Sequence, residues 1–328
     1  MKSMRVLVVG GAGYVGSQLV TMMVNRGIPT RVLDTFWFGD KVLKNIHSLE
    51  VVKGDIRNLN SVRQALFGID TVIHLACISN DPSFDLNPDL GKSVNLDSFL
   101  PFLRECKNFG VRKFLYASSS SVYGIKQEPF VTEELTLEPL TDYSKYKAEC
   151  EEILLNEDLG QMIKCIVRPA TVCGYSPRQR FDLVVNILTA SALTNGTITV
   201  MGGGQYRPNL HIDDMAECYI SLLSSEDVKI NNQVFNVGGD NLTLDQIALN
   251  VRDVLGKDIP IQVKQTDDMR SYRIESRKIK HAIGFMPKKS VRDAISDLVI
   301  SFHANKFDDD LFGANYINIK KMQQLQLG

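Results

Sequence analysis

The run Arg5-Val6-Leu7-Val8-Val9-Gly10-Gly11-Ala12-Gly13-Tyr14-Val15-Gly16-Ser17-Gln18-Leu19-Val20 decides the fold. Arg5 to Val9 carries apolar residues on both faces, as a central strand of a parallel sheet requires. The spaced glycines have separate mechanical uses. Gly10 permits a tight turn, Gly13 lets a pyrophosphate approach the backbone, and Gly16 lets the next helix pack close to the strand. Tyr14 and Val15 open that helix, where free N–H groups and the positive dipole end attract an anion. In this strand–turn–helix context, closed by Gly27, the triplet points to a dinucleotide.

The chain beyond it repeats the same unit. Thr30-Arg31-Val32-Leu33-Asp34 is a second strand, and Asp34 stands where a carboxylate would accept from the adenosine ribose hydroxyls. It would also repel a 2′-phosphate, which favours NAD over NADP. Residues 49–56 form a third strand running into Asp55 and Ile56; Asp55 either reaches the adenine or caps a helix. Residues 62–66 fit a helix lying on the sheet. Residues 71–76 form a fourth strand whose end, Leu75 and Ala76, would lie beside the cofactor, and His74 within it reads as structural. Residues 79–88 read as a polar, proline-punctuated loop, which puts Ser79 and Asn80 at the ligand-binding edge of the sheet. Asn95 falls in a helix, where an amide must be solvated or hold something in place. Residues 113–124 read as a fifth strand ending in serines, and residues 162–169, ending at Pro169, as a sixth.

This alternation predicts an α/β fold, a Rossmann-type doubly wound parallel sheet. Residues 1–170 are expected to form the NAD-binding domain, with later segments returning to it. Residues 171–328 are expected to make a smaller, C-terminal substrate-binding lobe. That lobe begins at Thr171 and Arg178-Gln179-Arg180, then an apolar helix over 181–192 with Asn186 one-sided upon it. A glycine-rich turn carrying Arg207, a capping box at Thr243-Leu244-Asp245-Gln246 and a charged cluster, Asp268 to Arg273, follow.

Tyr143-Ser144-Lys145-Tyr146-Lys147 places a phenol and an ammonium four residues apart, on one helix face. An ammonium there favours the phenolate, so the tyrosine would exchange a proton closer to neutrality than its usual pKa of about 10. The spacing alone is common in helices. It gains meaning beside the glycine turn and the serine run.

Composition excludes several classes. The 328 residues are 44% hydrophobic and 23% charged with a net charge of −1, which leaves no basic excess for a nucleic-acid partner. No apolar run approaches the roughly 18–20 residues needed to cross a bilayer, and the apolar start is too short for a signal core. Six scattered cysteines lack any zinc spacing and read as reduced, buried thiols. No metal and a cytoplasmic location are expected.

Taken together, Gly10/Gly13/Gly16, Asp34, Asp55-Ile56, Asn95, Ser119 before Val122-Tyr123-Gly124, Tyr143/Lys147 and Arg207-x-x-x-His211-x-x-Asp214 resemble the extended short-chain dehydrogenase/reductases that act on nucleotide-sugars. The resemblance covers nearly the whole chain. It implies NAD as cofactor, held by Gly10, Gly13, Tyr14, Val15, Gly16, Asp34, Asp55, Ile56, Leu75, Ala76, Asn95, Tyr143, Lys147 and Pro169. It implies Tyr143 as acid/base at a sugar C4 hydroxyl, Ser119 hydrogen-bonded to that hydroxyl, and Lys147 on the nicotinamide ribose. Ser79, Asn80, Ser119, Thr171, Arg178, Arg180, Asn186, Arg207 and Arg270 are then candidates for a nucleotide-diphosphate sugar, since guanidinium forks suit phosphate oxygens.

In the sugar 4,6-dehydratases of this family an Asp-Glu pair follows the catalytic hydroxyl. Here Ser120 and Ser121 stand in those places. The Cys/His pair of the GDP-fucose synthase kind has no matching histidine, although Cys77 or Cys173 could lie near the site. This leaves 4-epimerases, 4-dehydrogenases and 4-keto-sugar reductases, with a non-catalytic NAD-sensing relative as the non-enzyme alternative. Ser176 to Asn186 resembles a branch acting on sugars such as nucleotide-linked heptoses, and Gln265 replaces a diphosphate-binding arginine, with Arg270 nearby. A homodimer is also implied, through residues 88–109 and 142–156.

Overall fold

The computed structural model describes residues 4–44, 46–256, 258–266 and 270–327. Among them twelve strands follow in chain order: β1 (Val6–Val9), β2 (Thr30–Asp34), β3 (Glu50–Lys53), β4 (Thr71–His74), β5 (Lys113–Ala117), β6 (Ile163–Pro169), β7 (Thr171–Cys173), β8 (Ile198–Met201), β9 (Tyr206–His211), β10 (Gln233–Val237), β11 (Asn241–Thr243) and β12 (Ile261–Lys264). Seven make one parallel sheet in the order β10-β6-β5-β4-β1-β2-β3. The strand order reverses at β1, with Val9 registered against Leu33 on one side and His74 on the other. A crevice opens there, at the carboxyl ends of the strands.

The period of two sorts β1 between two cores. Val6 and Val8 face one, with the Tyr14–Asn25 and Ile212–Ser224 helices. Leu7 and Val9 face the other, with the Leu59–Leu66, Phe99–Asn108 and Asp142–Asn156 helices. All four side chains are fully buried, so truncating Leu7 to Ala would cost about 2–5 kcal/mol. The Ile212–Ser224 helix and β10 both come from beyond residue 170, and Gln18 to Asp213 at 2.6 Å and Arg26 to Glu217 at 2.6 Å tie that helix to the first. A three-stranded sheet β11-β9-β7, a β12–β8 pair and the Val184–Asn195, Leu244–Leu255 and Val291–His303 helices surround a separate core. No described helix is long and apolar enough to cross a membrane.

Several boundaries depart from the sequence expectation. The fifth strand stops at Ala117, because the Ser119 hydroxyl accepts from Ser121 N–H and starts a tight helical turn, Ser120–Tyr123. Gly124 ends that turn at φ 70°, and a Cβ there would lie 2.0 Å from the Glu138 carbonyl oxygen. The expected loop over 79–88 holds a short helix, Asp81–Leu86, and the start of another, Pro88–Lys92. Asn80 and Asn87 cap them and a proline stands in each first turn, so the Asn/Pro punctuation marks helix starts. The expected helix over 88–109 is interrupted by a π-helical turn, Ser93–Asp97. The apolar helix begins at Val184, not 181. The Thr243–Gln246 capping box is present. Asp268 and Met269 lie outside the described residues.

Candidate active site

A cleft of about 440 Å³ runs along the carboxyl ends of the central strands. At one end lies the glycine turn. Gly10 (φ 83°) donates to the Leu33 carbonyl at 2.8 Å, and a Cβ on it would sit 2.7 Å from Ala76 N. A Cβ on Gly16 would sit 2.2 Å from the Gly10 carbonyl oxygen, whereas one on Gly13 would meet only that oxygen, at 3.2 Å. The outer glycines are thus required by the protein's own packing. Gly13 leaves its side open to the cleft, and no side chain caps the helix start it forms. Tyr14 and Val15 line the cleft beside it.

Asp34 closes this end. Its carboxylate accepts from Ala12 N at 2.9 Å and Phe36 N at 2.8 Å. Burial raises its pKa, against the pull of those amides and of Arg178. Asp55 and Ile56 line the cleft next to it. Burial opposes ionisation of Asp55, yet the hydrogen bonds from Arg57 leave its pKa below the usual value. Asn58, not Asp55, caps the following helix. Leu75, Ala76 and Pro169 line the middle.

The other end holds Ser119, Tyr143 and Lys147. A capping box between Thr141 and Ser144 starts the Asp142–Asn156 helix and sets Tyr143 in its first turn. Lys147, one turn on, is buried and donates to the Ala117 carbonyl at 2.6 Å. The Ser119 Oγ accepts from the Ser121 hydroxyl at 2.9 Å and lines the cleft with Tyr143. Burial raises the Tyr143 pKa, Cys77 adds to the rise, and Arg180 and Ser119 oppose it. The phenol therefore stands above its usual value, not below it as the Tyr-x-x-x-Lys spacing suggested. Loss of water around the ring dominates, and the ammonium is engaged by a carbonyl.

Ser120 Oγ lies 3.1 Å from the Tyr272 hydroxyl. Among the described residues, the only carboxylates lining the cleft are Asp34 and Asp55, both at the glycine-turn end. Cys77 lines the site, whereas Cys173 is buried outside it.

Ser79, Asn80, Thr171, Arg178, Arg180, Arg207 and Arg270 also face the cleft. Arg270 pairs with Asp81 at 2.9 Å, and Arg207 donates to the Arg270 carbonyl. Arg180 bonds Asp182 at 2.8 Å and the Ser79 hydroxyl at 3.1 Å. Two expected ligands do not line it. Asn95 accepts from Ile78 N at 2.8 Å and donates to Ile78 O at 2.9 Å, fastening the chain after β4. Asn186 accepts from Gly174 N at 3.0 Å and donates to the Tyr14 hydroxyl at 3.1 Å and Arg180 O at 2.8 Å. Both amides are spent on the protein's own polar groups, as burial demands. They position the site.

Other lining residues carried no motif. Trp37 and Phe38 follow Asp34, and an aromatic cluster in a turn was a usable signal. Asn318 and Met322 come from the C-terminal helix Asn318–Gln324, whose polar sequence gave none. Outside the cleft, His211, Asp213 and Asp297 converge, but the Lys289 ammonium reaches both carboxylates, at 2.7 and 3.2 Å, and supplies the positive charge there.

The sequence profile of the NAD dependent epimerase/dehydratase family matches residues 6–238. UDP-glucuronic acid decarboxylase 2 of Arabidopsis thaliana is 30% identical, across 96% of this chain and 72% of its own length. UDP-glucose 4-epimerase of Lactobacillus helveticus is 28% identical, across 89% and 95%. The crystal structure of the Thermus thermophilus UDP-glucose 4-epimerase, in complex with NAD, superposes with a TM-score of 0.81 at 26% identity, covering 92% of this chain and all of that one.

Proposed function

The chain belongs to the NAD-dependent epimerase/dehydratase family, and we propose that within it the protein oxidises and reduces C4 of a nucleotide-diphosphate sugar, as a 4-epimerase or 4-dehydrogenase. The observation that carries this reading is the convergence of Ser119, Tyr143 and Lys147 on the cleft that the glycine turn and Asp34 enter from the other end. The open side of Gly13 and the acid at Asp34 suit the pyrophosphate and adenosine ribose of NAD. NAD, when bound, supplies the hydride acceptor and donor.

What remains for the protein is proton transfer and positioning. Hydride leaves a carbinol carbon only as its O–H proton departs, so a base must lie within hydrogen-bond reach. Tyr143 is that base, and returns the proton on reduction. Ser119 lines the cleft with the phenol and would orient the sugar hydroxyl. Lys147 holds the end of β5 against the tyrosine's helix and presents its charge near the ring. Arg207 and Arg270 provide cations for the sugar's diphosphate. Elimination of water needs an acid and a base beside the sugar, and the serines at 120 and 121 offer neither, so a single carbinol is the reacting centre.

The test is NADH absorbance on adding GDP-, UDP-, dTDP- and CDP-sugars, UDP-glucuronic acid included, to the purified protein. A lasting rise means net oxidation. No lasting rise with C4 inversion seen by NMR means an epimerase. Carbon dioxide release from UDP-glucuronic acid would replace both with decarboxylation, the activity in a relative's name. Silence with every sugar would sink the epimerase and dehydrogenase readings and leave a 4-keto-sugar reductase or a non-catalytic NAD-sensing relative. We also propose a cytoplasmic homodimer, paired through residues 88–109 and 142–156; a monomer in sedimentation at micromolar concentration would refute the pairing.

A further inference from the structure

Arg178 and Arg180 are 4% and 7% exposed. Buried cations need an anion or full hydrogen bonding, and neither of these is fully hydrogen-bonded. Arg178 Nε and Arg180 Nη2 have no hydrogen-bond partner. Asp182 answers Arg180, but among the described residues no carboxylate bonds Arg178, whose Nη2 reaches only the Asn318 amide oxygen at 2.5 Å.

Their position distinguishes the two diphosphates the cleft would take. The Arg178 backbone N–H donates to Ser17 Oγ at 3.2 Å, on the helix that the glycine turn opens. Its guanidinium stacks 4.1 Å from the Phe38 ring, four residues beyond Asp34. Asp34 senses Arg178, Tyr143 senses Arg180, and Tyr14 of the glycine turn interacts with each. The pair therefore straddles the glycine turn, from the adenosine end to the reactive tyrosine. Arg207 and Arg270 lie apart, with Tyr206 and Asp81.

Asn318 joins the pair to the sheet. Besides accepting from Arg178, it donates through Nδ2 to Ser79 Oγ at 3.2 Å and through its backbone to Asp182 at 3.1 Å. Arg180 bonds the same Ser79 and Asp182. The C-terminal helix is fastened again at Leu327, whose carbonyl accepts from Asn87 at 2.9 Å.

We propose that Arg178 and Arg180 clamp the diphosphate of the bound dinucleotide, not that of the sugar nucleotide, and that Asn318 of the C-terminal helix latches the clamp. This rests on the reading of the cleft as an NAD site. Arg180 and Arg178 are binding residues in it, and Asn318 is a positioning residue.

The test titrates NAD, ADP, adenosine and UDP into the full-length protein, Arg180→Met, Arg180→Lys and Asn318→Ala by calorimetry, with thermal unfolding recorded for each. Arg180→Met weakens NAD and ADP roughly ten- to hundredfold, since charge-assisted bonds are lost, and leaves adenosine and UDP unchanged. Arg180→Lys recovers part of the loss. Asn318→Ala shifts NAD and ADP in the same direction by a smaller factor, without moving adenosine, which a merely structural role would not produce. Weakened UDP with unchanged NAD would overturn the proposal and return the arginines to the sugar nucleotide, and so would unchanged NAD and ADP in Asn318→Ala and Arg180→Met. Should Arg180→Met fail to fold, Asn318→Ala decides. A wild-type protein that binds no NAD would overturn the cofactor reading itself, and the clamp with it.

Discussion

The Lys147 ammonium donates to the carbonyl oxygen of Ala117 at 2.6 Å and stands 6.0 Å from the centre of the Tyr143 ring. One side chain thus ties the reactive helix to the strand end from which Ser119 departs. Lys147→Met would remove a charge-assisted hydrogen bond to the part-buried Ala117 carbonyl, so it is expected to cost about 1–3 kcal/mol of stability as well as turnover. Tyr143→Phe removes only a hydroxyl. It should keep NAD affinity and stability while turnover falls roughly 10²–10⁴-fold. Chemical denaturation and turnover, measured on both variants, separate the two roles; equal losses of stability in both would remove the distinction.

The elevated Tyr143 pKa gives the pH dependence a sign. Oxidation of the sugar needs the phenolate, whose population rises with pH towards a pKa held above 10 by burial. The kcat/KM for oxidation is therefore expected to climb from neutral into alkaline solution, and the climb should vanish in whatever activity Tyr143→Phe retains. A flat wild-type profile would assign the proton to another group.

These relationships also mark what a sequence discloses. The glycine turn and Asp34 are legible because each answers a local demand: a positive φ at Gly10, or a close approach at Gly16. The Tyr143/Lys147 pair is legible because helical spacing places both side chains on one face. The direction of the tyrosine's pKa shift was not, since burial comes from packing across the whole cleft. Asn318 was illegible for a related reason. Its partners Ser79, Arg178 and Asp182 lie more than a hundred residues away in the chain, and no periodicity encodes such a contact. Asn95 and Asn186 were recognised as significant, but a buried amide satisfied by backbone and one that binds a ligand read alike in one dimension.

The glycine turn permits a contrast between two substitutions of equal size. Gly16→Ala puts a methyl 2.2 Å from a backbone oxygen, and nothing there is a flexible side chain able to yield. It should destabilise the whole fold, by an amount in the range of about 1–3 kcal/mol typical of overpacking, and lower NAD affinity with it. Gly13→Ala meets protein only at 3.2 Å. Its unfolding midpoint should stay near the wild-type value while NAD affinity drops at least roughly tenfold, because the methyl occupies the cofactor's approach. Calorimetric binding beside thermal melts tests the pair, and unchanged NAD affinity in Gly13→Ala would move the pyrophosphate elsewhere.

His74 offers a prediction about stability alone. Its ring sits among Phe99, Phe102, Phe114 and Tyr116, with centroids 5.2–6.0 Å away, and neither nitrogen has a hydrogen-bond partner. Burial, and then the Lys147 charge, push its pKa down to about 3. The unfolded chain accepts a proton near pH 6.5, and the folded protein refuses it until far lower. Stability is therefore intact above pH 6.5 and is lost as pH falls, by about 1.4 kcal/mol per unit, or about 2 kcal/mol by pH 5. His74→Leu removes the proton-binding group from both states and an unpaired polar ring from the core. It is expected to match or exceed the wild type at neutral pH and to gain on it by that further 2 kcal/mol at about pH 5. Urea midpoints at the two pH values measure the difference, because every other titrating group contributes equally to both proteins; parallel losses would show that the histidine finds a proton, or a partner, in the folded core.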